Sequence, residues 1–180
     1  MNSINENDII ERITGGDTEA FSYIVSNYKD MVFNIVCKII PDCQDAEDIT
    51  QDVFVKVFQN LDSFKFKSKL TTWIYTIAYN EAINATRRKA NDFIAIPDNF
   101  DIKDNDTDEE VTYSDELLET LKKEMVNLDP LDNLLLTLYY NMENSVEEIA
   151  EITGLTPANV KVRLFRTRKK LLHKLKNKAH

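Results

Sequence analysis

The sequence predicts an all-α fold: two small helical domains joined by an acidic, flexible linker, the second domain a helix-turn-helix. Three observations predict it. Apolar residues recur at helical spacing through most of the chain. Only 3 glycines and 4 prolines interrupt 180 residues, too few for the turns of a β-rich protein. Within residues 91–115 the helical period vanishes and carboxylates dominate, as in DNFDIKDNDTDEE. The expected units are therefore 1–90 and 116–180, with 91–115 between them.

Taken in order, Asp8 to Thr14 reads as a short helix with Ile9, Ile10 and Ile13 on one face, ended by Gly15-Gly16. Asp17 is a good N-cap for a longer helix over 18–40. Its stripe is Phe21, Ile24, Val25, Tyr28, Val32, Ile35, Val36 and Ile39, and Pro41 stops it. A third helix spans 42–61, with Ala46, Ile49, Val53 and Val57 facing inward. Its other side aligns Asp45, Asp48 and Asp52, with Glu47 and Gln51 beside them. Carboxylates in a first turn suit the helix dipole. Asp52 lies beyond that turn, and aligned like charges repel, so a basic docking partner is expected over a plain solvated face.

Phe64-Lys65-Phe66-Lys67-Ser68-Lys69 alternates aromatic and basic residues in a loop. A helix over 70–89 comes next, carrying Trp73, Tyr75 and Tyr79 and ending in Arg87-Arg88-Lys89. Lysines that track a phosphate backbone and rings that stack on bases, at ~1–3 kcal/mol per base, are what single-strand binding needs. Trp73 fits core packing and nucleic-acid contact equally. Phe64 and Phe66 are expected to act from the loop.

A helix over 117–127 opens the second domain, and Asp129-Pro130 starts a leucine-rich one over 131–142. That leucine-rich helix is expected to pack on the helix-turn-helix of residues 145–170, since no other nearby surface offers to bury it. Ser145 and Glu148 form a capping box, and Gly154 ends the short helix that they start. Thr156-Pro157 restarts a helix with Val160, Leu164, Thr167 and Leu171 inward. Ala150, Gly154 and Val160 fit the crossing, turn and plug of a helix-turn-helix. Lys161, Arg163, Arg166, Arg168, Lys169 and Lys170 crowd the second helix, and no acidic residue comes after Glu151. This is the electrostatic footprint of a polyanion binder. Phe165 falls off the core stripe and is expected to be exposed, placed for thymine methyls in a major groove.

Several classes are excluded. No apolar run approaches the ~20 residues of a membrane helix, and MNSINENDII lacks a basic start and an apolar signal core, so a cytoplasmic location is expected. Cys37 and Cys43 lack the companions of a zinc site and read as structural thiols. There is no Gly-rich phosphate loop, and His173 and His180 lie in a basic tail, so no catalytic residue, metal or cofactor is expected. The net charge of -9 must be segregated from the basic C-terminal helix, leaving acidic surface for another partner.

The order of AEDITQDVFVKVFQNLDSF, LTTWIYTIAYNEAIN and EEIAEITGLTPANVKVRLFRTRKKL resembles the extracytoplasmic-function (ECF) sigma factors of the bacterial sigma-70 family. The resemblance implies a promoter-specificity factor whose partners are core RNA polymerase, promoter DNA and, often in the family, an anti-sigma factor. Asp45, Asp48, Gln51, Asp52 and Val55 would then grip the polymerase. Phe64, Lys65, Phe66, Lys67 and Lys69 would capture a flipped base of the −10 element, which Trp73, Tyr79, Asn80, Asn84, Arg87 and Arg88 would open and read. Thr156, Asn159, Lys161, Val162, Arg163, Phe165, Arg166 and Lys169 would read the −35 element as duplex. The linker would thread toward the RNA exit path. Two stretches depart from the family pattern: Ala85-Thr86 replaces bulkier apolar residues, and Met142-Glu143-Asn144 replaces a glycine-containing turn. The rival reading is an autonomous helix-turn-helix regulator, which has no need of the aromatic-basic stretch from Ser63 to Lys89.

Overall fold

A computed structural model describes residues 6–89 and 115–178. The described residues form eight helices and no strand. These are α1 (Glu6–Thr14), α2 (Phe21–Ile39), α3 (Cys43–Asn60), α4 (Leu70–Lys89), α5 (Asp115–Val126), α6 (Pro130–Leu136), α7 (Val146–Thr153) and α8 (Pro157–Lys178). The acidic linker expected over 91–115 lies outside the described residues except for Asp115, which opens α5.

The helix ends obey local chemistry. The Asp45 N–H donates to Asp42 Oδ1 (2.9 Å) at the start of α3, and the Leu131 N–H donates to Asp129 Oδ1 (3.0 Å) ahead of Pro130. Asp17 caps a single 3-10 turn, Thr18–Ala20, rather than α2 itself, which begins at Phe21. The capping box at α7 is complete: Glu148 N–H donates to Ser145 Oγ (3.1 Å) and Ser145 N–H to Glu148 Oε2 (2.8 Å). Gly154 ends α7 with φ +73°, and its N–H donates to Ala150 O (2.9 Å). Nothing lies within 4 Å of a Cβ placed on Gly154, so the backbone angle alone demands glycine there.

In the N-terminal half, α2, α3 and α4 pack against one another, with Ile24, Val32, Ile35, Val36, Val53, Val57 and Ile74 fully enclosed. Burial of each such side chain contributes ~1.5–3 kcal/mol before chain entropy is set against it. Two α3 residues outside the expected stripe, Thr50 and Phe54, are buried, while Ile49 is only half-buried. Thr50 tolerates this because its hydroxyl donates to Ala46 O (2.7 Å). Helix α1 closes one end through its three isoleucines and a hydrogen bond from Tyr28 Oη to Glu6.

In the C-terminal half, α5, α6 and α7 all pack on α8. Leu134, Leu135, Leu138, Ile149, Ile152, Val160 and Leu164 fill the space between them. The leucine-rich helix does not pack on the helix-turn-helix alone, as the sequence suggested. It also packs on α2, and α7 packs on α4, so the buried residues of both halves form one continuous core. The sequence-based expectation failed because it considered only surfaces near in sequence, whereas folding brings α2 within reach.

Helix α6 ends in a wider π turn, Thr137–Asn141, closed by Met142 N–H donating to Thr137 O (3.1 Å). The turn after it places Glu143 at φ +54°, in the region that favours glycine. This is the stretch where a glycine-containing turn was expected from the family pattern. Glu143→Gly should therefore raise stability by ~0.5–1 kcal/mol, the relieved strain outweighing glycine's entropy. A thermal denaturation midpoint no higher than that of the unaltered chain would contradict this.

Candidate polymerase and nucleic-acid interfaces

Three surfaces carry the residues singled out from sequence. The first is the outer side of α3. Asp48, Gln51, Asp52 and Val55 are exposed on it, and Asp45 is half-buried at its start. Val55 is 53% exposed, an uncovered apolar residue beside carboxylates. One turn on, Phe58 is 41% exposed and meets Phe21 edge-on, with ring centroids 5.0 Å apart. Phe58 extends this face and was not anticipated. Its spacing of three from Val55 was the available signal. Acidic groups around an apolar centre suit a basic, partly apolar partner surface.

The second surface is the loop before α4 with the outer side of α4. Phe64 is buried, Phe66 is 52% exposed, and their rings meet at a tilt of 57° with centroids 4.8 Å apart. Phe64 in turn meets half-buried Trp73 at a tilt of 48°, with centroids 5.3 Å apart. The loop aromatics therefore divide their roles: Phe64 is a floor held by the core, and Phe66 is the accessible ring. Phe66 sits at φ +55°, a strained angle for a bulky residue, which holds its ring above that floor. Lys65, Lys67 and Lys69 are exposed beside it in the chain, Lys69 with 71% of its side chain open. Along α4, Trp73, Asn80, Asn84 and Arg87 fall on one side at helical spacing, Asn80 and Asn84 exposed, with Arg88 exposed at the end. Tyr79 does not join them. It is only 8% exposed. Burial raises its hydroxyl pKa above the ordinary value, and the guanidinium groups of Arg87 and Arg163 act against that rise.

The third surface is α8. Thr156 Oγ1 accepts from Asn159 N–H (3.2 Å), so Thr156 caps the helix that it was expected to help read with. Lys161, Arg166 and Lys169 are exposed, and Val162 and Asn159 are half-buried. Two expectations are corrected here. Phe165 is half-buried rather than exposed. Arg163 is held by α6, its Nη1 lying 2.5 Å from Asp132 Oδ1 and 3.9 Å from Asp129 Oδ1. The π turn directs Tyr139 and Tyr140 outward, and Arg168 donates to Tyr140 Oη (3.2 Å).

Between the second surface and the helix-turn-helix lies an ion pair from Lys69 Nζ to Glu148 Oε1 (2.8 Å). Glu148 thus uses one oxygen for its own helix cap and the other for the loop of the opposite half. Lys69 first, then the Ser145 amide, holds its carboxyl below the ordinary value of 4.5. Cys37 is half-buried and Cys43 exposed, both as free thiols. Among the described residues no group of three or more His, Cys, Asp or Glu side chains is placed to hold a metal ion, and no helix is long and apolar enough to cross a membrane.

An aromatic cluster at the start of α4 thus lies on the same chain as a capped helix-turn-helix. Known proteins match most of this chain. Residues 24–91 match the family Sigma-70 region 2, and residues 118–171 match Sigma-70, region 4. The ECF RNA polymerase sigma factor SigW of Bacillus subtilis is 30% identical over 178 residues, covering 93% of this chain and 95% of that one. The ECF RNA polymerase sigma-E factor of Escherichia coli K12 is 31% identical over 177 residues, covering 93% and 92%. Two solved structures share the fold. The sigma factor RpoE, solved with the anti-sigma factor NepR from Bartonella quintana, aligns with a TM-score of 0.64 and 23% identity over 87% of this chain and 96% of that one. CnrH, solved with the cytosolic domain of CnrY, aligns at 0.61 and 22% over 94% and 96%. The chain belongs to the ECF RNA polymerase sigma factors.

The Glu148 carboxylate carries a pH prediction. A depressed carboxylate contributes stability above its unfolded value and loses it as pH falls through the folded one. Between about pH 5 and pH 3 the unaltered chain should therefore lose more stability than Glu148→Gln. Denaturation midpoints measured across that range test this, and parallel curves would contradict it.

Proposed function

We propose that this chain is the promoter-specificity subunit of an RNA polymerase, with separate polymerase-docking, −10 and −35 surfaces and no catalysis of its own. The observation that carries the reading is the co-occurrence of a single-strand platform, Phe66 over Phe64 and Trp73, with a helix-turn-helix on one sigma-type chain. An autonomous helix-turn-helix regulator has no use for the platform, and relatives matching across both halves are sigma factors.

In this reading the N-terminal half, roughly residues 1–90, docks and melts, and 116–180 reads duplex. The outer side of α3, with Asp48, Gln51, Asp52, Val55 and Phe58, meets a basic surface of the core enzyme. Asp45 stands at the edge of that contact. Lys65, Lys67, Arg87 and Arg88 hold the phosphates of the opened strand, and Asn80 and Asn84 offer amides to base edges. Taking a base out of the stack costs a few kcal/mol, and stacking on Phe66 offsets it. Lys161, Val162, Arg166 and Lys169 face the −35 duplex, while Arg163 acts by orienting α8 through Asp132. The anti-sigma factors seen with structural relatives suggest that a masking partner of this kind also exists for this chain. The protein would work in the cytoplasm, beside the polymerase.

Both DNA and polymerase assignments can be tested. Asp48→Lys should weaken association with purified core polymerase by roughly tenfold, ~1.4 kcal/mol, with helicity unchanged. Equal retention of variant and unaltered chain in a pull-down would refute the docking face. In run-off transcription over a random-promoter library, the unaltered chain with core polymerase should select a two-part promoter. Phe66→Ala should bind the selected promoter but open it at least about tenfold more slowly. Permanganate reactivity of the −10 region that develops at the normal rate would remove Phe66 from the melting step.

A further inference from the structure

Helix α4 carries a single acidic residue, Glu81. It comes three residues before Asn84 and seven before Arg88, so it lies on their side of the helix. Its own helix cannot neutralise it. The residues one turn away on α4 are Ile77, Ala78, Asn84 and Ala85, none of them cationic. The balancing charge comes from α3, where Lys56 Nζ lies 2.6 Å from Glu81 Oε1. The Glu81 side chain is only 12% exposed, so its carboxylate depends on that partner more than an open surface acid would.

Lys56 has an ordinary partner nearer at hand. Asp52 precedes it by four residues on α3, the spacing and order at which an acid and a lysine pair best on one helix. Lys56 turns to Glu81 instead. Asp52 stays exposed on the outer side of α3, beside Asp48 and Val55. One lysine thus decides the charge of two surfaces. Its pairing cancels a carboxylate that would repel phosphates near Asn84 and Arg88, and it leaves Asp52 to a basic surface outside the chain. With the lysine side chain 43% exposed, the bond itself contributes little stability, so its main consequence is where it leaves the charges.

We propose that Lys56 and Glu81 are a positioning pair for promoter opening: Lys56 neutralises Glu81 beside the opened strand and, by doing so, leaves Asp52 free to dock on the polymerase. This rests on the assignment of α3 to docking and of Asn84 and Arg88 to the −10 strand. Neither member of the pair touches DNA or polymerase in this role. Each acts by the charge that it holds away from a neighbouring contact residue.

Three variants of the full chain, each with purified core polymerase and a promoter selected from the library, test the pair. Lys56→Gln bares the Glu81 carboxylate and should slow opening, read by permanganate, by roughly fivefold, with no fall in polymerase affinity. Glu81→Gln frees Lys56 to turn to Asp52 and should weaken polymerase affinity by roughly threefold, while saturated holoenzyme opens the promoter at the normal rate. The double variant Lys56→Gln/Glu81→Gln removes both charges and should return both measurements to those of the unaltered chain. A merely structural pair would not give this crossed pattern, because each single loss would lower the denaturation midpoint and both measurements together. Such parallel losses overturn the proposal, as do normal opening by Lys56→Gln, normal affinity of Glu81→Gln, or a double variant that restores neither. In those cases the unaltered chain still opens the promoter, and the sigma function stands. An unaltered chain that opens no promoter with core polymerase overturns the docking and strand assignments, and the proposal with them.

Discussion

Helix α4 is the element on which the rest depends, because it must satisfy three neighbours at once. It packs on α2, α3 and α7; Leu70, Thr72, Ile74, Ala78 and Tyr79 are buried, Trp73 is half-buried, and Asn80, Asn84 and Arg87 are exposed. At 3.6 residues per turn the buried arc covers roughly 200° of the helix, well beyond the ~100° stripe of a surface helix. Only a narrow side is left for polar work. The Lys56–Glu81 pair (2.6 Å) links α3 to α4.

The same economy governs the C-terminal half. Its recognition helix is steadied by carboxylates of other helices: Asp132 and Asp129 of the α6 start hold Arg163, and buried Glu124 of α5 binds Lys174. A buried acid paired in this way is costly to uncouple. The basic helix is thus partly neutralised by carboxylates of α5 and of the α6 start.

The helices were legible because periodicity, caps and glycine agreed locally. Ser145, Glu148 and Gly154 each act as their residue types require, and Val160, Leu164, Thr167 and Leu171 are all buried as their spacing implied. Among the candidate site residues, Asp48, Asp52, Phe66, Asn80, Asn84 and Lys161 are exposed as a contact role needs. The misplacements have a common cause. Tyr79, Phe64 and Arg163 have side chains that suit either a core contact or a nucleic acid, and residue type does not choose between those uses. Phe165 was assigned by its angle on one helix, which carries no information about neighbours from other parts of the chain.

The amino-acid sequence by itself determined the helical class, the helix ends, the acidic outer side of α3 and the basic α8. These arise from interactions within a few residues, whose geometry a helix dictates. Tertiary structure alone decided that α6 is shared with α2, that α7 lies on α4, and that Lys69 meets Glu148 from a distant part of the chain. Contacts so distant in sequence depend on which apolar surfaces remain uncovered after local folding. That is a property of the assembled shape, and it appears in no single stretch of the chain.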